Sequence, residues 1–241
     1  MKGNVARGIE YLPRGARLLK HPALRHFVIV PLLVNVVIFS TLIAVGFSYV
    51  SDMMAALLSR IPEWLSFIQW VLWPLIAITV GLVTGYLFTT VALVVASPFN
   101  ALLAEKAEEL ITGEQVNGLE GLGAALLAVP QSIVRELAKL LYYIPMAIFA
   151  LLLSFIPGVG AFAWLLLGAW MMSIQFVDYP MDNHQLDFGA VKDAVRSRRL
   201  SSLGFGGAVA LCTTIPIVNF FVVPAAVVGA TLLWCEELSD G

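Results

Sequence analysis

The chain has 241 residues, of which 60% are hydrophobic and only 12% charged, and its mean hydropathy is +0.90. Soluble domains carry about 25% charged residues, so this composition excludes a water-soluble globular protein and points to an integral membrane protein. The net charge of −2, with no basic arm, gives no reason to expect nucleic acid as a partner.

The N-terminal segment, residues 1–26, has no short apolar run followed by a small-residue cleavage site, so no removable signal is read there. Residues 4–20 read as a basic amphipathic helix. Ile9, Leu12, Ala16 and Leu19 fall near one face, and Arg7, Arg14, Arg17 and Lys20 lie elsewhere. Such a helix ahead of a membrane span is expected on the anionic cytoplasmic surface, with Pro13 as a candidate kink.

Residues 27–50 are uncharged and form the first expected span, with Pro31 in its first turns and Asn35 deeper. A short polar connection, residues 51–63, carries one basic residue, Arg60. Residues 64–104 are again uncharged, about twice what a bilayer needs. We read one tilted span over residues 70–95, a break at Ser97-Pro98-Phe99-Asn100, and a helical extension to Thr112. Trp64, Trp70 and Trp73 then form an aromatic belt. Residues 114–123 read as a glycine-rich loop, and residues 126–139 as a helix that gains charge at Arg135, Glu136 and Lys139.

The chain is organised around residues 140–177, an uncharged apolar stretch broken at its middle by Ile156-Pro157-Gly158-Val159-Gly160. As one helix it would measure about 57 Å, against a hydrocarbon core of about 30 Å. Proline removes a backbone donor and glycine favours a turn, so the chain is expected to fold back there. The arms, residues 140–155 and 161–177, would each be about 24–26 Å long. After the polar segment 178–202, residues 203–235 repeat the design around Ile215-Pro216. Aligning Pro157 with Pro216 also pairs Ile156 with Ile215, Val159 with Val218 and Phe162 with Phe221. Paired broken helices are a pointer to a transport site; chance recurrence in apolar sequence is the alternative. The arm at residues 203–214, about 18 Å, is too short to cross. The expected fold is all-α, with two long transmembrane helices and two half-penetrating hairpins. With those two spans only Arg60 lies on the far side, which puts both termini in the cytoplasm by the distribution of basic residues.

Catalytic motifs are missing. The sequence has no P-loop, His-Glu-x-x-His, Cys-x-x-Cys or Gly-x-Ser-x-Gly, and the apolar stretches hold no Asp, Glu or His. An enzyme is not expected, nor a cofactor or metal. Cys212 and Cys235 read as core thiols. The polar candidates lie at membrane edges. Arg25 and His26 sit at a helix start, where the helix dipole and free N–H groups favour an anion; the alternative is an arginine snorkelling to the interface. Glu105 and Glu108, and Lys106 and Glu109, share helix faces at i, i+3. They could gate a pore mouth with Arg135, Lys139 or the basic residues at 196–199, or form only a solvated charged face. Asn35, Asn100, Asp182 and Asn183 complete the candidate pore set.

Four stretches resemble the bacterial CysZ sulfate transporter family. They are Leu24-Arg25-His26-Phe27-Val28-Ile29-Val30-Pro31-Leu32-Leu33-Val34-Asn35, Ser97-Pro98-Phe99-Asn100-Ala101-Leu102-Leu103-Ala104-Glu105-Lys106, Phe155-Ile156-Pro157-Gly158-Val159-Gly160 and Asp178-Tyr179-Pro180-Met181-Asp182-Asn183-His184. The resemblance implies sulfate uptake across the inner membrane for cysteine synthesis, by a homo-oligomer embedded in the lipid bilayer with two long helices and two half-penetrating hairpins. The family's Gly-x-Arg-Arg sulfate-binding segment maps onto Ala23-Leu24-Arg25-His26, so Leu24, Arg25 and His26 are the implied sulfate-binding residues. Ala23 and His26 depart from the pattern. The competing reading is a non-transporting membrane scaffold or accessory subunit, which the scarcity of buried ionisable groups favours.

Overall fold

A computed structural model describes residues 3–58, 67, 69–116, 123 and 129–239. Among these, all regular structure is helical, as the composition and the long uncharged stretches lead one to expect. The elements are α1 (Val5–Leu18), α2 (Pro22–Leu58), α3 (Gln69–Thr112), α4 (Val129–Leu153), α5 (Val159–Asn183), α6 (Phe188–Ser197), α7 (Arg199–Thr213) and α8 (Pro216–Leu233), followed by a π-helical turn, Trp234–Leu238. Trp64, the connection from residue 59 onward, most of the loop at 114–123 and the start of the helix expected at 126 lie outside the described residues.

Among the described residues, four helical stretches are long and apolar enough to cross a membrane: Pro22–Ala56, Ile133–Leu153, Val159–Asn183 and Phe221–Leu238. The protein is thus a membrane protein built of helices. Both expected breaks coincide with helix ends. α4 stops at Leu153 and α5 starts at Val159, where Gly158 has φ of +80°. That left-handed conformation is open to glycine at little cost. α7 stops at Thr213, and Pro216 begins α8 at its first turn, a position where a missing N–H costs nothing.

Three expectations are corrected. α3 is helical through Ser97-Pro98-Phe99-Asn100, with Pro98 buried. In an apolar setting a full break would strand several backbone groups, whereas a proline costs one hydrogen bond, so the helix continues. The arms of the first hairpin are also longer than the uncharged run. α4 and α5 have 25 residues each, about 37 Å, because the charged residues at their ends pair with one another rather than ending the helices. Finally, the buried face of α1 is Gly8, Tyr11, Leu12 and Gly15, while Ile9 is exposed. That face lies on protein: α1 packs on α7 and α8. A Cβ on Gly8 would overlap the carbonyl of Ser201, one on Gly15 that of Ala225, and one on Gly204 that of Val5. Glycine lets these backbones touch, as small residues do between membrane helices.

The chain divides into two compact units. The larger, Met1–Val28 with Ser97–Gly241, holds a core that includes Tyr11, Leu24, Leu103, Ile174, Val177, Phe205, Val209 and Leu233, all fully buried. The smaller, Ile29–Ala96, comprises most of α2 and the first part of α3. Gly46 faces Val80 and Thr84 there. Phe47, Tyr49, Trp70, Leu82 and Tyr86 are each at least 70% exposed. Apolar surface of that extent on a soluble protein marks an interaction site; on a membrane protein it suits a hydrocarbon surrounding.

Candidate functional site

The basic residues of the larger unit sort into those that face carboxylates and those that do not. On α4, Arg135 and Lys139 are one helical turn apart, and on α5 so are Asp178 and Asp182, which puts each pair on one face. The two faces meet. Arg135 Nη2 lies 2.6 Å and Nε 2.8 Å from Asp178 Oδ1, and Nη1 lies 2.8 Å from Asp182 Oδ1. Nη1 also donates to the Leu186 carbonyl at 2.7 Å. Lys139 Nζ lies 2.7 Å from both Asp178 Oδ2 and Glu136 Oε1. Lys139 and Asp178 are almost wholly buried, so each needs the other: a buried charge is tolerated when paired and hydrogen-bonded.

A second paired group joins the two ends of the chain. Glu237, on the π-helical turn, accepts from Tyr11 Oη at 3.0 Å and Ser201 Oγ at 2.7 Å and lies 3.2 Å from Arg7 Nε. Glu236 is bonded by both terminal nitrogens of Arg14, and Arg7 Nη2 lies 3.5 Å away. Burial pushes the Tyr11 phenol well above its ordinary range, and the hydrogen bond to Glu237 adds to this. The sequence offered a signal for this clasp, a basic amphipathic helix at one end and an acidic pair at the other, but gave no reason to place them together.

The α1–α2 junction is different. Arg25 is exposed, and its Nε donates to the Lys20 carbonyl at 3.0 Å. Its terminal nitrogens have no partner among the described residues, and neither Arg17 nor Lys20 makes an ion pair among them. His26 is exposed beside it. Leu24, by contrast, is fully buried in the core, so it anchors the segment and offers a ligand no side-chain surface. The free N–H groups expected at this helix start are engaged. Pro22 has none, Ala23 donates to His21 Nδ1 at 3.3 Å, and Leu24 donates to the His21 carbonyl at 3.1 Å. Any anion held here is held by side chains.

The candidate pore residues are only partly brought together. Asn100 Nδ2 donates to Tyr179 Oη at 3.4 Å and Asn183 Nδ2 to the Ala101 carbonyl at 3.0 Å, so both tie α3 to α5. Arg135 and Asp182 meet directly. Lys106 instead pairs within its own helix, at 2.8 Å from Glu109 and 3.4 Å from Glu105. The hydrogen bond to Glu109 holds its ammonium above the ordinary lysine range. Arg135 and Lys139 pair with carboxylates of α5, while the Lys106 pairs stay within α3, as in the alternative of a charged face with salt bridges of its own. Asn35 belongs to the smaller unit, where its Oδ1 is buried without a hydrogen-bond partner among the described residues.

Comparison with known proteins gives a consistent result. The family profile described as Sulfate transporter CysZ/Etoposide-induced protein 2.4 matches residues 11–224. A protein of Pseudomonas aeruginosa named Sulfate transporter CysZ is 40% identical over 233 residues, covering 95% of each chain. One of the same name from Pseudomonas fluorescens is 42% identical over 240 residues, covering 98% of this chain and 96% of its own. Another from Vibrio cholerae is 42% identical over 234 residues, covering 95% and 93%. With a family match over residues 11–224 and 40–42% identity to these relatives along almost its entire length, the chain belongs to the family described as Sulfate transporter CysZ/Etoposide-induced protein 2.4.

Proposed function

We propose that this protein carries sulfate across the bacterial inner membrane and so supplies sulfur for cysteine biosynthesis. Near-full-length identity to proteins named as sulfate transporters supports the substrate. The observation that supports a site is Arg25: an exposed guanidinium whose terminal nitrogens face no carboxylate among the described residues, at the start of a helix long enough to cross a bilayer. A guanidinium fork binds an oxyanion through two parallel hydrogen bonds. His26 adds a neutral donor or a second cation beside it. Lys20 raises the local positive potential.

In this reading α2 and α3 are the two long spans, and the broken pairs α4–α5 and α7–α8 are hairpins that enter and leave on the cytoplasmic side. α7, at 15 residues, measures about 22 Å and falls short of a crossing of about 30 Å. Both termini are then cytoplasmic, and the exposed apolar faces meet lipid and other copies of the chain in a homo-oligomer. Asn35, Asn100, Glu105, Lys106, Glu109, Arg135, Asp182 and Asn183 are the residues we assign to the ion path or its gate. Proteoliposomes of the purified protein, loaded against radiolabelled sulfate, test the function. Uptake well above that of protein-free vesicles and competed by unlabelled sulfate is expected. Uptake no faster than in protein-free vesicles would overturn transport and favour a scaffold.

A further inference from the structure

The turn between α1 and α2 is built around one residue, His21. Its backbone N–H donates to the Leu18 carbonyl, in the last turn of α1, at 2.9 Å, and its carbonyl accepts from the Leu24 N–H, in the first turn of α2, at 3.1 Å. Its ring Nδ1 accepts from the Ala23 N–H at 3.3 Å. Pro22, the first residue of α2, has no N–H to satisfy. His21 thus stands where Ser, Asn or Asp commonly cap a helix, and its imidazole takes their part. An Nδ1 that accepts carries no proton, so the ring is neutral with its proton on Nε2. Both ends that His21 joins are seated: Leu18 and Leu19 pack against the core on one side, and Leu24 is buried in it on the other.

The same turn carries the Lys20 carbonyl, which accepts from Arg25 Nε at 3.0 Å. A guanidinium has five N–H donors in one fixed plane. With the Nε–H taken, the edge that pairs Nε with a terminal nitrogen is closed to a bidentate ligand. The edge that spans Nη1 and Nη2 is open, with no partner among the described residues. The carbonyl therefore sets which edge the arginine presents. It also removes part of the ordering cost that a long, free side chain meets on binding.

We infer that His21 is a positioning residue of the anion site: by capping α2 through its ring it holds the Lys20 carbonyl against Arg25 Nε, so that an oxyanion meets the Nη1–Nη2 edge end-on. This rests on the reading of Arg25 as the sulfate-binding residue. His21 acts through Arg25 and supplies no hydrogen bond to the anion. It is exposed, so its truncation leaves the core intact.

The test is the sulfate dissociation constant of the detergent-purified full-length protein, measured by calorimetric titration at about pH 8, where imidazole is neutral, beside the melting temperature. The proteins compared are the parent, His21→Ala, His21→Asn, Arg25→Ala and the double variant with both residues changed to alanine. His21→Ala should weaken binding by about three- to tenfold, in the range of one lost cap, while melting within a few degrees of the parent. His21→Asn, whose amide oxygen can accept the same Ala23 N–H, should bind within about twofold of the parent. In the Arg25→Ala background the change at His21 should have no further effect, because the residue through which it acts is gone. Parent-like binding by His21→Ala, with Arg25→Ala weakened, would overturn the positioning role and leave the Arg25 reading standing. Additive losses in the double variant would also overturn it, by making His21 a ligand in its own right, and so would a failure of His21→Asn to recover binding. Parent-like binding by Arg25→Ala would overturn the Arg25 reading itself, and the positioning role with it.

Discussion

Two sets of cations in the larger unit teach opposite lessons. Arg135, Lys139, Arg7 and Arg14 face carboxylates, and the first two are largely removed from solvent. Arg25 is exposed, faces a single backbone carbonyl and keeps its terminal nitrogens without a partner among the described residues. In the first set the guanidinium and ammonium groups are consumed by the fold, joining α4 to α5 and the first helix to the last turn. In the second a guanidinium stands ready on a segment that Leu24 fixes from beneath. The paired set is expected to govern stability and the open one anion binding.

The largest effect should come from breaking the buried set. Asp178→Ala removes the carboxylate that Arg135 and Lys139 share and leaves both cations short of partners. Deleting one side of a buried pair costs about 3–5 kcal/mol, so this variant should lose most of its yield as folded protein or melt far below the parent. A melting temperature within a few degrees of the parent would show that the network contributes little.

The clasp between the chain ends is next. Glu237→Ala deletes the acceptor of Tyr11 and Ser201 and a neighbour of Arg7. Hydrogen bonds to a charged group are worth about 1.5–3 kcal/mol, and protease accessibility of residues 1–20 should rise with the loss. Unchanged proteolysis would mean that the glycine contacts and the Arg14–Glu236 pair hold α1 without Glu237.

A smaller effect is expected from pH. The Tyr11 phenol is raised in the folded state by burial, so its contribution is fully present below the unfolded value near 10 and is lost as pH rises through the folded value. By pH 11 the parent should therefore lose about 1 kcal/mol relative to Tyr11→Phe. Parallel melting curves against pH for the two proteins would contradict this.

Much of the fold was legible. The breaks at Pro157 and Pro216 could be read because proline and glycine act locally. The docking of α1 could not, because Gly8, Gly15 and Gly204 matter only through backbones distant in sequence; by themselves they are ordinary glycines of membrane helices. The charge pairs on α4 and α5 were partly legible. Arg135 and Lys139, and Asp178 and Asp182, show the i, i+4 spacing, but which helix each would face depends on packing. Arg25 could be singled out as a residue, yet the state of its neighbours could not. Sequence suggested free N–H groups at that helix start, and His21 uses them through its ring nitrogen and its carbonyl.

The central claim is that an open cation, and not a paired one, receives the substrate. It is tested most directly by the dissociation constant for sulfate of the purified protein, measured beside its melting temperature, in the parent and in Arg25→Ala. A fork to a dianion is worth about 1.5–3 kcal/mol, so the variant should bind at least tenfold more weakly while melting as the parent does. An unchanged dissociation constant, in a variant that is folded and melts normally, would contradict the account.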